Sequence, residues 1–200
     1  MNETPSDARR NRRGRMMLLG IAGLFFGSML IAGLLRFSGW RPEGSNVHGE
    51  LLQPPVDLRE HAPRLLDGTP YAWNPPARTW RIAVAPPADC GADCEKLATD
   101  LDKVWRLMGR NADHVDILWV CADAACAVPA PLDQDRTLRR LRPDPAWRNA
   151  LPRVDDKGEG AGRGVPVYLL DPNGFVILRY PPGTDPGGLR ADLAKLLKLI

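Results

Sequence analysis

The sequence predicts an α/β fold, a mixed sheet with flanking helices, preceded by a single membrane-spanning helix. Three observations carry that reading. Residues 16–35 form an uncharged apolar run. Residues 80–121 read as strand, helix, strand. Residues 164–197 read as a hairpin followed by an amphipathic helix.

In chain order, residues 1–15 are read as a cytoplasmic tail and 16–35 as a transmembrane helix. The run MMLLGIAGLFFGSMLIAGLL carries no charge. At 1.5 Å per residue it reaches about 30 Å, the thickness of the bilayer's hydrocarbon core. It is longer than the apolar part of a signal peptide, and no A-x-A-like cleavage site follows before Trp40, so an uncleaved anchor is expected. Arg9, Arg10, Arg12, Arg13 and Arg15 precede the span, with only Arg36 and Arg41 close behind. The positive-inside rule then puts the N-terminus in the cytoplasm and residues 36–200 outside. Trp40 suits an interfacial anchor. Gly23-x-x-x-Gly27 is too common in Gly-rich apolar runs to carry a dimerisation argument.

Residues 36–79 hold seven prolines and show no sustained period, so they read as an extended linker. Leu51, Leu52, Val56, Leu58, Leu65 and Leu66 are candidates to lie on the domain surface. Asp67-Gly68 marks a turn that closes a small hairpin.

The domain is expected over 80–200. Trp80–Ala85 is a short apolar run ended by Pro86-Pro87, read as a buried strand. In 93–109, Leu97, Leu101, Val104, Trp105 and Met108 share one helical face, and Gly109 ends it. Val115–Cys121 is the second strand, which a crossover helix makes parallel to the first. Short helices are expected near 133–141 and 145–151, and a Gly-rich loop over 155–164. Two apolar runs flank the turn Asp171-Pro-Asn-Gly174, with Pro166 opening the first of them. Leu189, Leu193, Leu196 and Leu197 define a C-terminal helix. This order of elements is that of the thioredoxin fold. Trp80, Trp105, Trp119 and Trp147 are expected in or beside the core, as is Met108.

Composition narrows function. The chain has 200 residues, 44% hydrophobic and 26% charged, with net charge +3. The five N-terminal arginines, set against Glu3 and Asp7, account for all of that +3, so the rest of the chain is neutral. A neutral body lacks the basic face that nucleic acid requires. No Ser-His-Asp set, phosphate-binding Gly loop or H-E-x-x-H motif is present. Asp155, Asp156 and Glu159 in their Gly-rich setting read as a solvated loop.

The four cysteines all follow the span, on the side where disulfides persist. Cys90-Gly-Ala-Asp-Cys94 lies where the first strand ends and the helix begins. The helix N-terminus lowers a thiol pKa there, while Asp89 and Asp93 oppose it. Such a pair can form a redox disulfide, a plain staple, or a Cu(I) site. Cys121-Ala-Asp-Ala-Ala-Cys126 starts on the same sheet edge. Three readings stand for it: a local disulfide, which is favoured; a second dithiol that exchanges electrons with Cys90–Cys94; and, with that pair, a loosely spaced zinc site.

The Cys90-x-x-x-Cys94 pair, the anchor, His48-Gly-Glu-Leu-Leu-Gln-Pro-Pro55 and Tyr168-Leu-Leu-Asp-Pro-Asn-Gly174 together resemble the Sco/SenC family over about residues 48–200. Those are membrane-anchored, thioredoxin-fold copper proteins that help assemble the binuclear copper centre of cytochrome c oxidase. The resemblance implies copper held by Cys90 and Cys94. The family's His ligand falls near Arg163, and no His lies between 115 and 200. Gly91 and Glu95 stand where the family tends to have proline. Arg163-Gly-Val-Pro166 instead resembles the thioredoxin segment that ends in a cis-proline facing the dithiol. His48 and His61 are the linker histidines that would have to replace the missing ligand; His114 belongs at the far end of the helix.

The resemblance implies a bacterial inner-membrane protein with a periplasmic domain, whose partner is a cytochrome c oxidase subunit or another assembly factor. Cys90 is expected to attack, Cys94 to resolve and Pro166 to face them, by dithiol/disulfide exchange or Cu(I) delivery. The alternative is a non-catalytic assembly scaffold whose disulfides are structural.

Overall fold

The computed structural model describes residues 5–38 and 47–199. Trp40, Arg41 and Pro42 lie outside the described residues. The chain divides into two compact units, Met1–Ser45 and Asn46–Ile200.

The first unit is one helix, α1 (Pro5–Phe37). Its stretch Arg12–Phe37 is long and apolar enough to cross a membrane. Met16, Leu19, Leu24, Phe25 and Met29 are all exposed, the arrangement suited to lipid rather than to a protein core. Ser28 is the polar exception, and its hydroxyl donates to the carbonyl of Phe25 at 2.9 Å. The hydroxyl therefore carries no unmet bond into an apolar medium.

The second unit is built on a six-stranded sheet of order β1-β6-β5-β2-β3-β4. The strands are β1 (Glu50–Asp57), β2 (Trp80–Val84), β3 (Val115–Val120), β4 (Leu138–Leu141), β5 (Val167–Leu170) and β6 (Phe175–Tyr180). β2, β3 and β4 run parallel, while β5 is antiparallel to β2 and to β6, and β1 to β6. The helices are α2 (Gly91–Arg106), α3 (Pro145–Ala150) and α4 (Pro186–Leu196).

Alternation along the strands separates two cores. Trp80, Ile82 and Val84 of β2, with Ile117 and Trp119 of β3, face α2 and α4 through Ala98, Leu101, Val104, Leu189 and Leu193. Ala83, Ala85, Leu118 and Val120 face the other way, against Trp147 and Leu151 at α3 and against Leu58 and Tyr71. The predicted parallel β2–α2–β3 unit is present, and so are the hairpin and the C-terminal helix. At the hairpin turn, Asp171 Oδ1 accepts the N–H groups of Asn173, Gly174 and Phe175 at 2.8–2.9 Å. Gly174 has φ +101°, and a Cβ there would sit 2.9 Å from the Trp73 ring, so only glycine fits.

The secondary structure departs from the sequence reading in two stretches. The segment read as an extended linker contributes to the sheet, because β1 pairs with β6 at its edge. Pro54 and Pro55 fall in the irregular stretch between Leu51 and Val56, where an edge strand tolerates residues that cannot donate. Leu58 is fully buried and Tyr71 nearly so. The Asp67-Gly68 turn closes as expected, with Leu65 N–H donating to Thr69 O at 2.8 Å.

The second departure is at 133–141, expected to be helical. Only Leu132–Gln134 forms a single 3-10 turn, and Leu138–Leu141 is the parallel strand β4. Asp135 Oδ1 accepts from both the N–H and the hydroxyl of Thr137 at 2.8 Å, which turns the chain out of the helical path. The free edge of β4 is then covered. Leu66 N–H donates to Arg140 O, and Arg142 N–H to Arg64 O.

Two buried arginines brace the sheet. Arg81 donates Nε to the Tyr71 hydroxyl at 2.9 Å and lies over the Trp73 ring, 5.1 Å from its centre. Arg179, with a fully buried side chain, bonds Glu50 Oε2 at 3.1 Å and also pairs with Asp156. Asp156 was expected to be solvated; instead it ties its loop to β6.

Candidate redox site

The site begins where β2 runs out. Pro86 and Pro87 cannot continue the ladder, and the chain turns at Ala88-Asp89 into α2. Cys90 is the N-cap of α2, and Gly91 follows with φ +49°, a conformation that strains any residue with a side chain. That turn brings the Cα atoms of Cys90 and Cys94 to 5.3 Å, and the two are joined in a disulfide. Cys94 points into the core and is 7% exposed, while Cys90 is half-buried at the rim. The expected order of accessibility, Cys90 outside and Cys94 inside, is what the structure displays.

Opposite Cys90 lies a cavity of about 300 Å³. Its walls include Cys90, Asp93, Arg148, Lys157, Arg163 and Pro166. The Arg163–Pro166 segment thus faces the disulfide as the sequence suggested. One detail is corrected: the cis peptide bonds lie at Gln53–Pro54 and Ala130–Pro131, so Val165–Pro166 is trans. Pro166 lines the cavity beside Cys90 without the cis bond that the resemblance implied.

The electrostatics of this cavity were only partly legible in the sequence. Asp89 and Asp93 are local to the motif, but Arg148 and Lys157 arrive from distant segments. Arg148 is taken up by Asp155, its Nη2 2.7 Å from Oδ1. Among the described residues Lys157 and Arg163 form no salt bridge. Asp89, Asp93, Asp155 and Asp156 line the same cavity, so Lys157 and Arg163 offset acidic charge there beside the helix N-terminus. A periodicity argument cannot find such residues, because loop closure and not helical spacing brings them in.

Cys121 and Cys126 form the second disulfide, with Cα atoms 4.9 Å apart. The favoured local pairing is therefore present. In this oxidised form the four sulfurs are paired two and two.

The donor set does not fit copper as the family resemblance implies it. Among the described residues no three His, Cys, Asp or Glu side chains gather as a metal site. His48 is committed elsewhere, its Nδ1 3.0 Å from Asp192 Oδ1 on α4. His61 is exposed in the turn after Leu58, and His114 is exposed just before β3. Burial works against ionisation of Asp192, but the bonds from His48, Gly49 and Tyr180 outweigh it and hold its carboxyl below the usual range. Burial first, and then that carboxylate, push the Tyr180 hydroxyl far up.

A thioredoxin-like domain with a half-accessible disulfide at the start of its first crossover helix is the class that this geometry defines. The chain belongs to the family of transmembrane-like, thioredoxin-like C-terminal domains, which it matches over residues 80–200. Its fold is also that of apo Sco1 from Thermus thermophilus, with a TM-score of 0.51 and 15% identity over 80% of this chain and all of that one. Copper-bound ScoI from Arabidopsis thaliana gives 0.49 and 14%, over 77% of this chain and 100% of that one. Peroxiredoxin Q from Xanthomonas campestris gives 0.43 and 19%, over 75% and 96%. A sequence comparison with curated proteins finds no match.

Proposed function

We propose that this chain is a membrane-anchored, periplasmic thiol–disulfide exchange protein that works in cytochrome c oxidase assembly on an oxidase subunit or another assembly factor. The observation that carries the proposal is the asymmetric pair: Cys90 at the rim of an open cavity, and Cys94 buried behind it at a helix N-terminus.

In this reading a protein dithiol first reduces Cys90–Cys94. The Cys90 thiolate then attacks one sulfur of a disulfide in the client, releasing the other client sulfur as a thiolate. Cys94 attacks Cys90 Sγ, the mixed disulfide breaks, and the client leaves as a dithiol. Two electrons pass to the client, two protons complete its thiols, and Cys90–Cys94 returns to its disulfide form. Pro166 walls the cleft in which the mixed disulfide forms, and α1 keeps the domain beside the membrane. No copper step is derived, since a third ligand is lacking. That Sco proteins bind copper and belong to oxidase assembly is a property of those relatives and supports only the biological setting.

The competing reading is a scaffold with structural staples. Three of the four sulfurs being buried favours it. A deletion strain complemented with Cys90→Ser, Cys94→Ser protein separates the two. Exchange chemistry predicts that the variant accumulates folded in the membrane yet leaves oxidase activity deficient. Full oxidase activity from the folded variant would establish the scaffold.

A further inference from the structure

The second disulfide has a position that the exchange chemistry above does not use. β2 and β3 pair in parallel, with Val84 opposite Trp119, so the chain leaves both strands at the same edge of the sheet. One strand leads to Cys90–Cys94 and the other directly to Cys121–Cys126. A single cavity of about 370 Å³ is lined by all four cysteines, together with Trp119 and Val128. Cys94, Cys121 and Cys126 also belong to one buried cluster, with Cys90 packed against it.

Access is unequal. Cys121 is 2% exposed and Cys126 7%, so a protein-sized reductant cannot reach them directly. Cys90 alone is half-open. The second pair is also not the sole hold on its own turn. Asp123 Oδ1 accepts the N–H groups of Ala125 and Cys126, both at 3.0 Å, and a loop this short gains less from a cross-link than a long one. The turn thus has backbone hydrogen bonds that do not depend on the sulfurs.

We propose that Cys121–Cys126 is an internal redox partner of Cys90–Cys94, loaded and unloaded only through it; this rests on the exchange function above. In the loading step, the Cys94 thiolate attacks one sulfur of Cys121–Cys126, and the other leaves as a thiolate. Cys90 then attacks Cys94 Sγ, which restores Cys90–Cys94 and frees the second thiolate. One dithiol is oxidised and one disulfide reduced; two electrons and two protons move, and no outside reagent is consumed. A second reduction at Cys90–Cys94 then leaves the chain holding two electron pairs, one accessible and one stored.

The test uses the full-length chain in detergent micelles with reduced thioredoxin as the protein reductant. Samples are acid-quenched over time and alkylated, and both pairs are followed by peptide mass spectrometry. In the wild-type chain, Cys90–Cys94 should open first and Cys121–Cys126 should follow. In the Cys90→Ser, Cys94→Ser chain, reduction of Cys121–Cys126 should slow at least ten-fold. Equal rates in the two chains overturn the proposal, and so does a wild-type Cys121–Cys126 bond that stays oxidised after Cys90–Cys94 is reduced. The wild-type time course alone decides the matter should the variant not fold. A Cys90–Cys94 pair that thioredoxin never opens defeats the exchange function and the relay together. A pair that cycles above an inert Cys121–Cys126 defeats the relay alone.

Discussion

Asp192 on α4 accepts the backbone N–H of His48 at 2.6 Å, across 144 positions of sequence. The same carboxylate takes the Gly49 N–H at 3.2 Å and the Tyr180 hydroxyl at 3.1 Å, and its side chain is fully buried. This one group fastens the start of the domain to its last helix and to β6. Replacing Asp192 with Ala leaves the buried Tyr180 hydroxyl and the part-buried N–H groups of His48 and Gly49 unpaired, at about 1–3 kcal/mol for a buried group, so a loss of about 3 kcal/mol is expected. Urea unfolding of the full-length chain in micelles checks it; a loss under about 0.5 kcal/mol would contradict the assignment.

Acid should weaken the fold through the same group. A carboxyl whose pKa is lower folded than unfolded contributes stability above its unfolded value, and loses it as pH falls through the folded one. Asp192 is such a group, and so is Asp156, held low by the Gly158 N–H and then by Arg179. The thermal midpoint should therefore fall steeply between about pH 4 and pH 2. Asp192→Asn should start lower and fall less. A wild-type midpoint unchanged at pH 3 is the contrary result.

Arg179 joins β6 to β1 through Glu50 and to the 153–158 loop through Asp156. Truncating a buried cation strands its partners, here partly exposed carboxylates that water can recover, so Arg179→Ala should cost about 3 kcal/mol, at the low end for such pairs. The freed loop should also be cut faster by trypsin at Arg153, Lys157 or Arg163. Unchanged cleavage there would separate the arginine from loop positioning.

Lys157, Arg163 and Asp89 line the same cavity as Cys90. Lys157→Gln combined with Arg163→Gln should raise the pKa of the Cys90 thiol in the reduced chain, and Asp89→Asn should lower it. Below the thiol pKa, the thiolate fraction changes about ten-fold for each whole step in that pKa, so the pH profile of iodoacetamide alkylation at Cys90 reads the effect directly. Profiles that superimpose would show that these charges do not reach the sulfur.

The misfit to copper also makes a prediction. Cu(I) titrated into the reduced chain should bind with an affinity that His48→Ala and His61→Ala leave unchanged. A loss of ten-fold or more in either variant would show a third ligand that the described arrangement does not supply.

The central part of the fold is readable because its elements declare themselves by period. The apolar face of Leu97, Leu101, Val104 and Trp105 gives α2, which ends at Arg106, before Met108, and the two runs around Asp171–Gly174 give the hairpin. β4 is not readable: Leu138-Arg-Arg-Leu141 is too short to show alternation, and its strand state comes from pairing with β3. β1 is hidden by Pro54 and Pro55, which signal a linker unless the antiparallel partner β6 is known. In the site, the cysteines and Pro166 are legible from motif and order. Arg148 and Lys157 are not, because tertiary closure alone brings them to Cys90. The buried Arg179–Asp156 pair is likewise invisible to a reading that treats acidic residues among glycines as solvated.

Whether Cys90–Cys94 turns over is decided most directly by its reduction potential, measured in the full-length chain against a graded thiol–disulfide buffer. The exchange account predicts a value above about −300 mV, within reach of protein dithiols. A value far below it would mark an inert bridge, and the domain would be left as a tethered fold held by staples.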